Sequence, residues 1–480
     1  MEGYRESLLK GSAKVAVWGL GHIGYSTLCH FAEEGVNGIG VDIDEERVKR
    51  VNRGEVPIFA MDYWLGFAPG YLFEQGAARA TTEWRELISA EVLVHFVAIP
   101  TERDGKPYLE ILGDVCRKIS KIKGLDMERP PLVVIESTLT PNTTDEFVIP
   151  IFEEEGLVVG EDILLGCSPR RDWFATPDRS LRTLHRVGGA TNAETGEVLL
   201  DVLGIVCENM VPAPDHLHAE VVKSIENAYR HMEIALANEL SLAYSHLDMR
   251  TVLQLVGTKW NVGTYQPSFG IGGYCIPLSS HYVLDGATHP ERLGLLRRTV
   301  ESSEAQPGRV VEYLVNGANA KRVGILGLSY AKNMRVPDQS PTLKMIPLLR
   351  ERGIEVKVND PHFTDAEIKE IAGVEAFAFP QGLSAFDTVL VVAGHREYNA
   401  VNHATLLDNL EHCRLLMDNT GIWEDVDFEG HGIGYHLAGS PYWLGGAPDL
   451  GRSLSSEHGS EPAGGGSDER GKAIGSKAVV

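Results

Sequence analysis

The sequence is short of features that mark several protein classes, and each shortage closes one of them. Cysteine is scarce: there are six in 480 residues (Cys29, Cys116, Cys167, Cys207, Cys275 and Cys413), with no CxxC pair. That density does not make a disulfide scaffold, and reduced thiols are expected. No apolar run is long enough for a membrane span. The opening "MEGYRESLLKGSAKVAVWGLG" has early acidic residues and no long apolar stretch before a small-residue cleavage site. A cytoplasmic location away from membranes is therefore expected. Basic residues are outnumbered, with 44 Lys and Arg against 67 Asp and Glu and a formal charge of -23. This argues against a nucleic-acid partner, because phosphate backbones are bound through clustered cations. Any phosphate ligand has to be held locally, by backbone N–H groups at helix starts and a few placed cations. Neither "DHLH" at Asp215 to His218 nor His281 has a matching cysteine or carboxylate set, so no metal is expected.

What remains is the composition of a folded protein, 43% hydrophobic and 23% charged, in a chain too long for one core. "KVAVW" meets "GLGHIG", the helical pattern "YSTLCHFAEEG" and the apolar "GIGVDID", a strand, glycine turn, helix, strand unit. With "AEVLVHFVAIP" and "PLVVIESTLT", residues 1–205 read as a doubly wound α/β domain with a parallel sheet. Residues 206–315 read as a helical middle, opened by a long helix with Asp215 as its cap. "KRVGILGLSY", "IEVKVNDP", "FDTVLVVAG" and "CRLLMDN" mark a second, smaller Rossmann-like domain over 316–440. Residues 441–480, rich in glycine, serine and charge, are expected to be a disordered tail.

Gly19, Gly21 and Gly24 form GxGxxG directly after a strand and at a helix start, the context that gives the pattern meaning. Gly19 suits the tight turn, Gly21 the approach of a pyrophosphate, and Gly24 close helix packing, with His22 and Ile23 between them. Asp42 ends the next strand, where a carboxylate accepts from ribose hydroxyls and repels an extra phosphate. NAD is therefore the expected cofactor. Lys223 and Asn227 lie four apart, on one helix face, and together suit a developing alkoxide; a lone solvated lysine is the plainer alternative. In "PSFGIGGYCIPLSS", Gly270, Gly272 and Gly273 allow the backbone to curl around a ligand before Cys275, either a pocket nucleophile or a small buried residue.

In their order along roughly residues 14–425 these pieces resemble the UDP-glucose/GDP-mannose dehydrogenase family. The matching stretches are "VAVWGLGHIG", "GVDIDEERVKRVNRGEVPI", "ESTLTPNTTDE", "AEVVKSIENAYRHMEIALANELS", "FGIGGYCIP" and "GILGLSY…QSP…VNDP". The resemblance implies an NAD domain, a central dimerising helix in a homodimer, and a C-terminal domain gripping a nucleotide-sugar substrate. It implies that Cys275 captures an aldehyde as a thiohemiacetal, that Lys223 and Asn227 stabilise alkoxide and oxyanion, and that Thr138 lies near nicotinamide and water, with Thr101 also on the cofactor. Gly270, Gly272, Gly273, Arg170 and Lys332 are then expected around the substrate. The departures fall at charged positions: Arg170 replaces an acid after "SP", Ser279 an aspartate, Ala331 a lysine (Lys332 follows) and Asp338 an arginine. Losing acids there leaves open a four-electron oxidation to a uronate. A two-electron oxidation or a redox-neutral epimerisation or dehydration with retained NAD is also open, as is binding without turnover.

Overall fold

Short apolar runs separated by amphipathic segments set the architecture. The computed structural model describes residues 3–445 apart from 104 and 173–179. "KVAVW" forms β1 (Lys14–Trp18), followed by β2 (Gly38–Val41), β3 (Ala78–Thr81), β4 (Val92–Val97), β5 (Leu132–Ile135), β6 (Leu164–Cys167), β7 (Arg186–Ala190) and β8 (Met210–Pro212). They make one sheet in the order β8-β7-β6-β5-β4-β1-β2-β3, parallel except where β6 and β7 meet. With both faces covered, successive residues of β1 enter opposite layers: Val15 and Val17 one, Ala16 and Trp18 the other. Each aliphatic side chain so buried contributes ~1.5–3 kcal/mol. The sheet runs to Pro212, beyond the expected limit at residue 205, because β8 pairs in parallel with β7.

The helix α1 (His22–Glu33) packs on β1 and β2 directly after the first glycine turn. The central helix α2 (His216–Ala243) has 28 residues, about 42 Å at the usual rise, and Asp215 caps it by accepting from the His218 N–H. α3 (Met249–Val256), α4 (Cys275–Asp285) and α5 (Gly294–Glu312) follow, with α4 lying against α2.

The second sheet holds β9 (Arg322–Leu326), β10 (Glu355–Asn359), β11 (Thr388–Val391), β12 (Leu415–Asp418) and β13 (Gly434–Leu437) in the parallel order β10-β9-β11-β12-β13, with α6 (Pro341–Glu351) after the second glycine turn. The order reverses around β9, which places a ligand crevice at the carboxyl ends of β9 and β11. The fold is thus two doubly wound α/β units joined by a helical middle. Residues 441–445, assigned to the expected tail, are packed against the fold. Trp443 is buried, its ring stacked on Phe269 at 5.9 Å, and the Tyr442 N–H donates to the Ser245 carbonyl at 2.7 Å. Residues 446–480 lie outside the described residues. No helix among the described residues is long and apolar enough to cross a membrane.

Candidate active site

The three glycines of the first turn differ in the space around them. Gly19 has φ +88°, and a Cβ there would lie 2.6 Å from the Ala98 carbonyl oxygen; a Cβ on Gly24 would lie 1.9 Å from that of Gly19. A Cβ on Gly21 would meet nothing within 4 Å. The turn is therefore closed against the sheet and open over the start of α1, a helix end whose dipole favours an anion. His22 and Ile23 open that helix, and burial pushes the His22 imidazole below its usual range, with Arg47 adding to it. Asp42 is buried and accepts from the Leu20 N–H (2.8 Å), the Asp44 N–H (3.0 Å) and Arg47 Nη1 (2.9 Å), so it also fixes the turn. Open glycine face, helix start and strand-end carboxylate together fit a dinucleotide.

Cys275 is the first residue of α4 and alone among the six cysteines is exposed; burial pushes Cys116 and Cys413 up to about 12. Of the sequence pair on α2, Asn227 reaches its helix. Asn227 Nδ2 donates to Ser279 Oγ at 3.0 Å and to the Cys275 carbonyl at 3.3 Å, and Ser279 Oγ donates to the same carbonyl at 2.5 Å. Lys223, also buried, donates to Glu226 Oε1 at 3.0 Å. The far end of α4 ties the thiol helix to the first sheet. The Tyr282 hydroxyl donates to the Thr101 carbonyl at 2.8 Å, and Thr101 Oγ1 donates to the Thr138 carbonyl at 2.6 Å. Burial pushes Tyr282 up to about 12. Tyr282 escaped the sequence reading, although its spacing of seven from Cys275 puts it on the same helix face.

The glycine loop is held from several elements. Ser268 N–H donates to Asn238 Oδ1 on α2, Phe269 N–H to Asn419 Oδ1, and Gly273 N–H to the Asp338 carbonyl. A Cβ on Gly272 would lie 2.4 Å from Tyr330 Cβ, and one on Gly273 2.9 Å from the Tyr330 ring. These glycines therefore admit Tyr330 from the second glycine turn, a packing role beside the expected ligand role. Gly270 sits against Pro307 and Pro341. Tyr330 is pushed up to about 12 by burial and then by the Cys275 thiol. Asp338, where a cation was expected, hydrogen-bonds the Tyr274 hydroxyl next to the thiol. Lys332 is exposed on this turn.

Arg170 requires a correction. It does not face the thiol pocket: its guanidinium is buried, donating to both Asp172 oxygens, to Ser26 and to Thr27 on α1, with Glu136 3.9 Å away. A cation so enclosed has its donors filled and stays buried because its partners do. The neighbouring Arg171 takes the other direction, donating to Glu226 Oε2 on α2 at 2.7 Å and to the His185 carbonyl at 3.0 Å.

In the second crevice Asp360 parallels Asp42, accepting from the Leu328 and Ser329 N–H groups at 2.8 and 3.0 Å. Among the described residues one group has metal-ligand composition, His362, His395 and Glu397. His395 Nδ1 accepts from the Asn333 N–H and its Nε2 meets Asp360 Oδ2 at 3.1 Å, which leaves two ligands.

Comparison with known proteins shows the family. Domain models of the UDP-glucose/GDP-mannose dehydrogenase family match residues 13–202 (NAD binding domain), 217–304 (central domain) and 324–425 (UDP binding domain). UDP-N-acetyl-D-mannosamine dehydrogenase of Pyrococcus horikoshii is 27% identical over 88% of this chain and 99% of that protein. UDP-N-acetyl-D-glucosamine 6-dehydrogenase of Pseudomonas aeruginosa is 27% identical over 80% and 91%. A solved structure of the Pyrococcus horikoshii UDP-D-ManNAc dehydrogenase superposes with TM-score 0.77 at 24% identity, covering 89% of this chain and 99% of that one. The chain belongs to the UDP-glucose/GDP-mannose dehydrogenase family and is an NAD-dependent oxidoreductase acting on a nucleotide sugar.

Proposed function

We propose that the protein oxidises the C6 alcohol of a UDP-linked N-acetylhexosamine to the carboxylate, in two hydride transfers through a thiohemiacetal on Cys275. The observation that carries this is the single exposed thiol, opening a helix whose first carbonyl is hydrogen-bonded by Asn227 and whose far end is tied to Thr101 and Thr138. Names of relatives acting on UDP-N-acetyl sugars support the substrate class. Gly21 and Asp42 would hold NAD, which would supply the hydride acceptor when bound.

The chain's own residues account for the rest. Lys223 holds the alkoxide as the C6 hydroxyl proton passes to water and hydride leaves C6, giving the aldehyde, while Asn227, its amide hydrogens taken by Ser279 and the Cys275 carbonyl, fixes the thiol helix. The Cys275 sulfur adds to that carbonyl, forming the C–S bond of the thiohemiacetal as the thiol proton passes to its oxygen, which faces Lys223. A second hydride leaves C6 and the carbonyl reforms as a thioester. Water then adds, the C–S bond breaks, and the carboxylate departs with the thiol restored. Each sugar yields two NADH. Residues 1–212, the helical middle and the second sheet divide cofactor, chemistry and nucleotide between them, with the exposed Lys332 available to a diphosphate.

The same reading makes the protein a homodimer. Ile225, Tyr229 and Leu236 are exposed along α2, with Tyr244 just past its end, and an apolar stripe on a long helix suits burial against a second copy. Incubation with NAD and a panel of UDP- and GDP-sugars tests the function. Two NADH per uronate supports it, whereas one NADH, or an altered sugar with none, establishes the two-electron or redox-neutral outcome.

A further inference from the structure

Position 279 faces Asn227 with a hydroxyl, so helix α4 offers no carboxylate there to the buried Lys223. The structure assigns that part to Glu226: we propose that Glu226 is a positioning residue that holds the Lys223 ammonium toward the reacting oxygen, itself clamped by Arg171. This rests on the proposed function for the identity of the reacting oxygen.

The arrangement differs from an ordinary helix-surface pair. Exposed lysine and glutamate three apart contribute little, since both side chains sample many rotamers. Here the Lys223 side chain is 10% exposed and that of Glu226 26%, and the carboxylate is shared. Oε1 accepts from Lys223 Nζ at 3.0 Å, while Oε2 accepts from Arg171 Nε at 2.7 Å. Arg171 is fixed in turn by the His185 carbonyl at the start of β7 in the first sheet. Each oxygen has its own cation, so the carboxylate cannot rotate without losing one. Lys223 is thereby pinned on the α2 face that also carries Asn227, whose amide is anchored to α4. The chain Arg171–Glu226–Lys223 thus ties a cation for the reacting centre to the cofactor-binding sheet.

Two measurements on full-length Glu226→Gln and Glu226→Asp test this. In steady state with NAD and the UDP-sugar panel, Glu226→Gln is expected to lower kcat roughly ten- to a hundred-fold with KM changed less than about threefold, and Glu226→Asp to recover most of the loss. Independently of turnover, trace labelling with acetic anhydride read by mass spectrometry is expected to acetylate Lys223 several-fold faster in Glu226→Gln than in wild type, and near the wild-type rate in Glu226→Asp. Wild-type kcat and wild-type labelling in Glu226→Gln overturn the assignment. If wild-type protein turns over no sugar, the proposed function fails, and the labelling still decides whether Glu226 pins Lys223. Should Glu226→Gln not fold, the same two readouts on Arg171→Gln decide: an unchanged kcat and unchanged labelling reject the chain.

Discussion

Two glycines three residues apart predict opposite consequences for the same one-methyl change. Gly21→Ala adds a Cβ with no atom within 4 Å, on backbone at φ -72° that alanine adopts freely. Its only folding cost is a poorer helix cap, at most about 1 kcal/mol. The methyl nevertheless stands where a pyrophosphate approaches, so NAD affinity is expected to fall at least tenfold, about 1.4 kcal/mol. Gly24→Ala puts a Cβ 1.9 Å from the Gly19 carbonyl oxygen, so α1 must move about 1.1 Å to reach even 3.0 Å. Overpacking of this kind costs ~1–3 kcal/mol, which for a chain of this size lowers Tm by several degrees, and it displaces the donors at the helix start. Calorimetric NAD titration beside thermal unfolding of the apo-proteins separates the two: both variants bind weakly, but only Gly24→Ala melts early. Gly21→Ala binding NAD as wild type, or melting as early as Gly24→Ala, would refute the division of roles.

Other outcomes follow from the same contacts. Cys275→Ala is expected to abolish uronate formation and the second NADH and to leave no covalent sugar adduct in denaturing mass spectrometry; unchanged product would exclude covalent catalysis. Tyr282→Phe removes the donor to the buried Thr101 carbonyl, costing ~1–3 kcal/mol in denaturant unfolding and lowering kcat because α4 loses its tie to the first sheet; an unchanged unfolding midpoint would show that tie to be dispensable. Burial holds His231 to about 4 and His30 and His95 to about 3, below the unfolded value. The unfolded chain then binds more protons across that interval, so stability is retained above pH 6.5. It falls on acidification toward pH 4 by up to ~1.4 kcal/mol per pH unit for each histidine. A flat unfolding free energy between pH 6.5 and 4.5 would contradict the buried, neutral imidazoles.

Local pattern alone determined much of this protein. Apolar runs of strand length around glycine turns specify two parallel sheets, because only a strand buried on both faces is so continuously apolar. The spacing of Gly19, Gly21, Gly24 and Asp42 marked a candidate cofactor site, because its parts lie within one strand, turn, helix, strand unit. Lys223 and Asn227 were recognisable as neighbours from helical periodicity. Three things depended on the tertiary structure. Arg170 and Arg171 are adjacent and chemically alike, yet one is enclosed behind α1 by Asp172 and Glu136 while the other reaches Glu226. Which way each points depends on acceptors brought from distant segments. Gly272 and Gly273 read as ligand-loop glycines, but the ring they admit is Tyr330, more than fifty residues away. The thiol's link to the cofactor domain runs through Tyr282 and Thr101, 181 residues apart. Such contacts join segments with no local correlation, so periodicity carries no trace of them. The sequence specifies which groups are available for the chemistry, and packing decides which of them meet at Cys275.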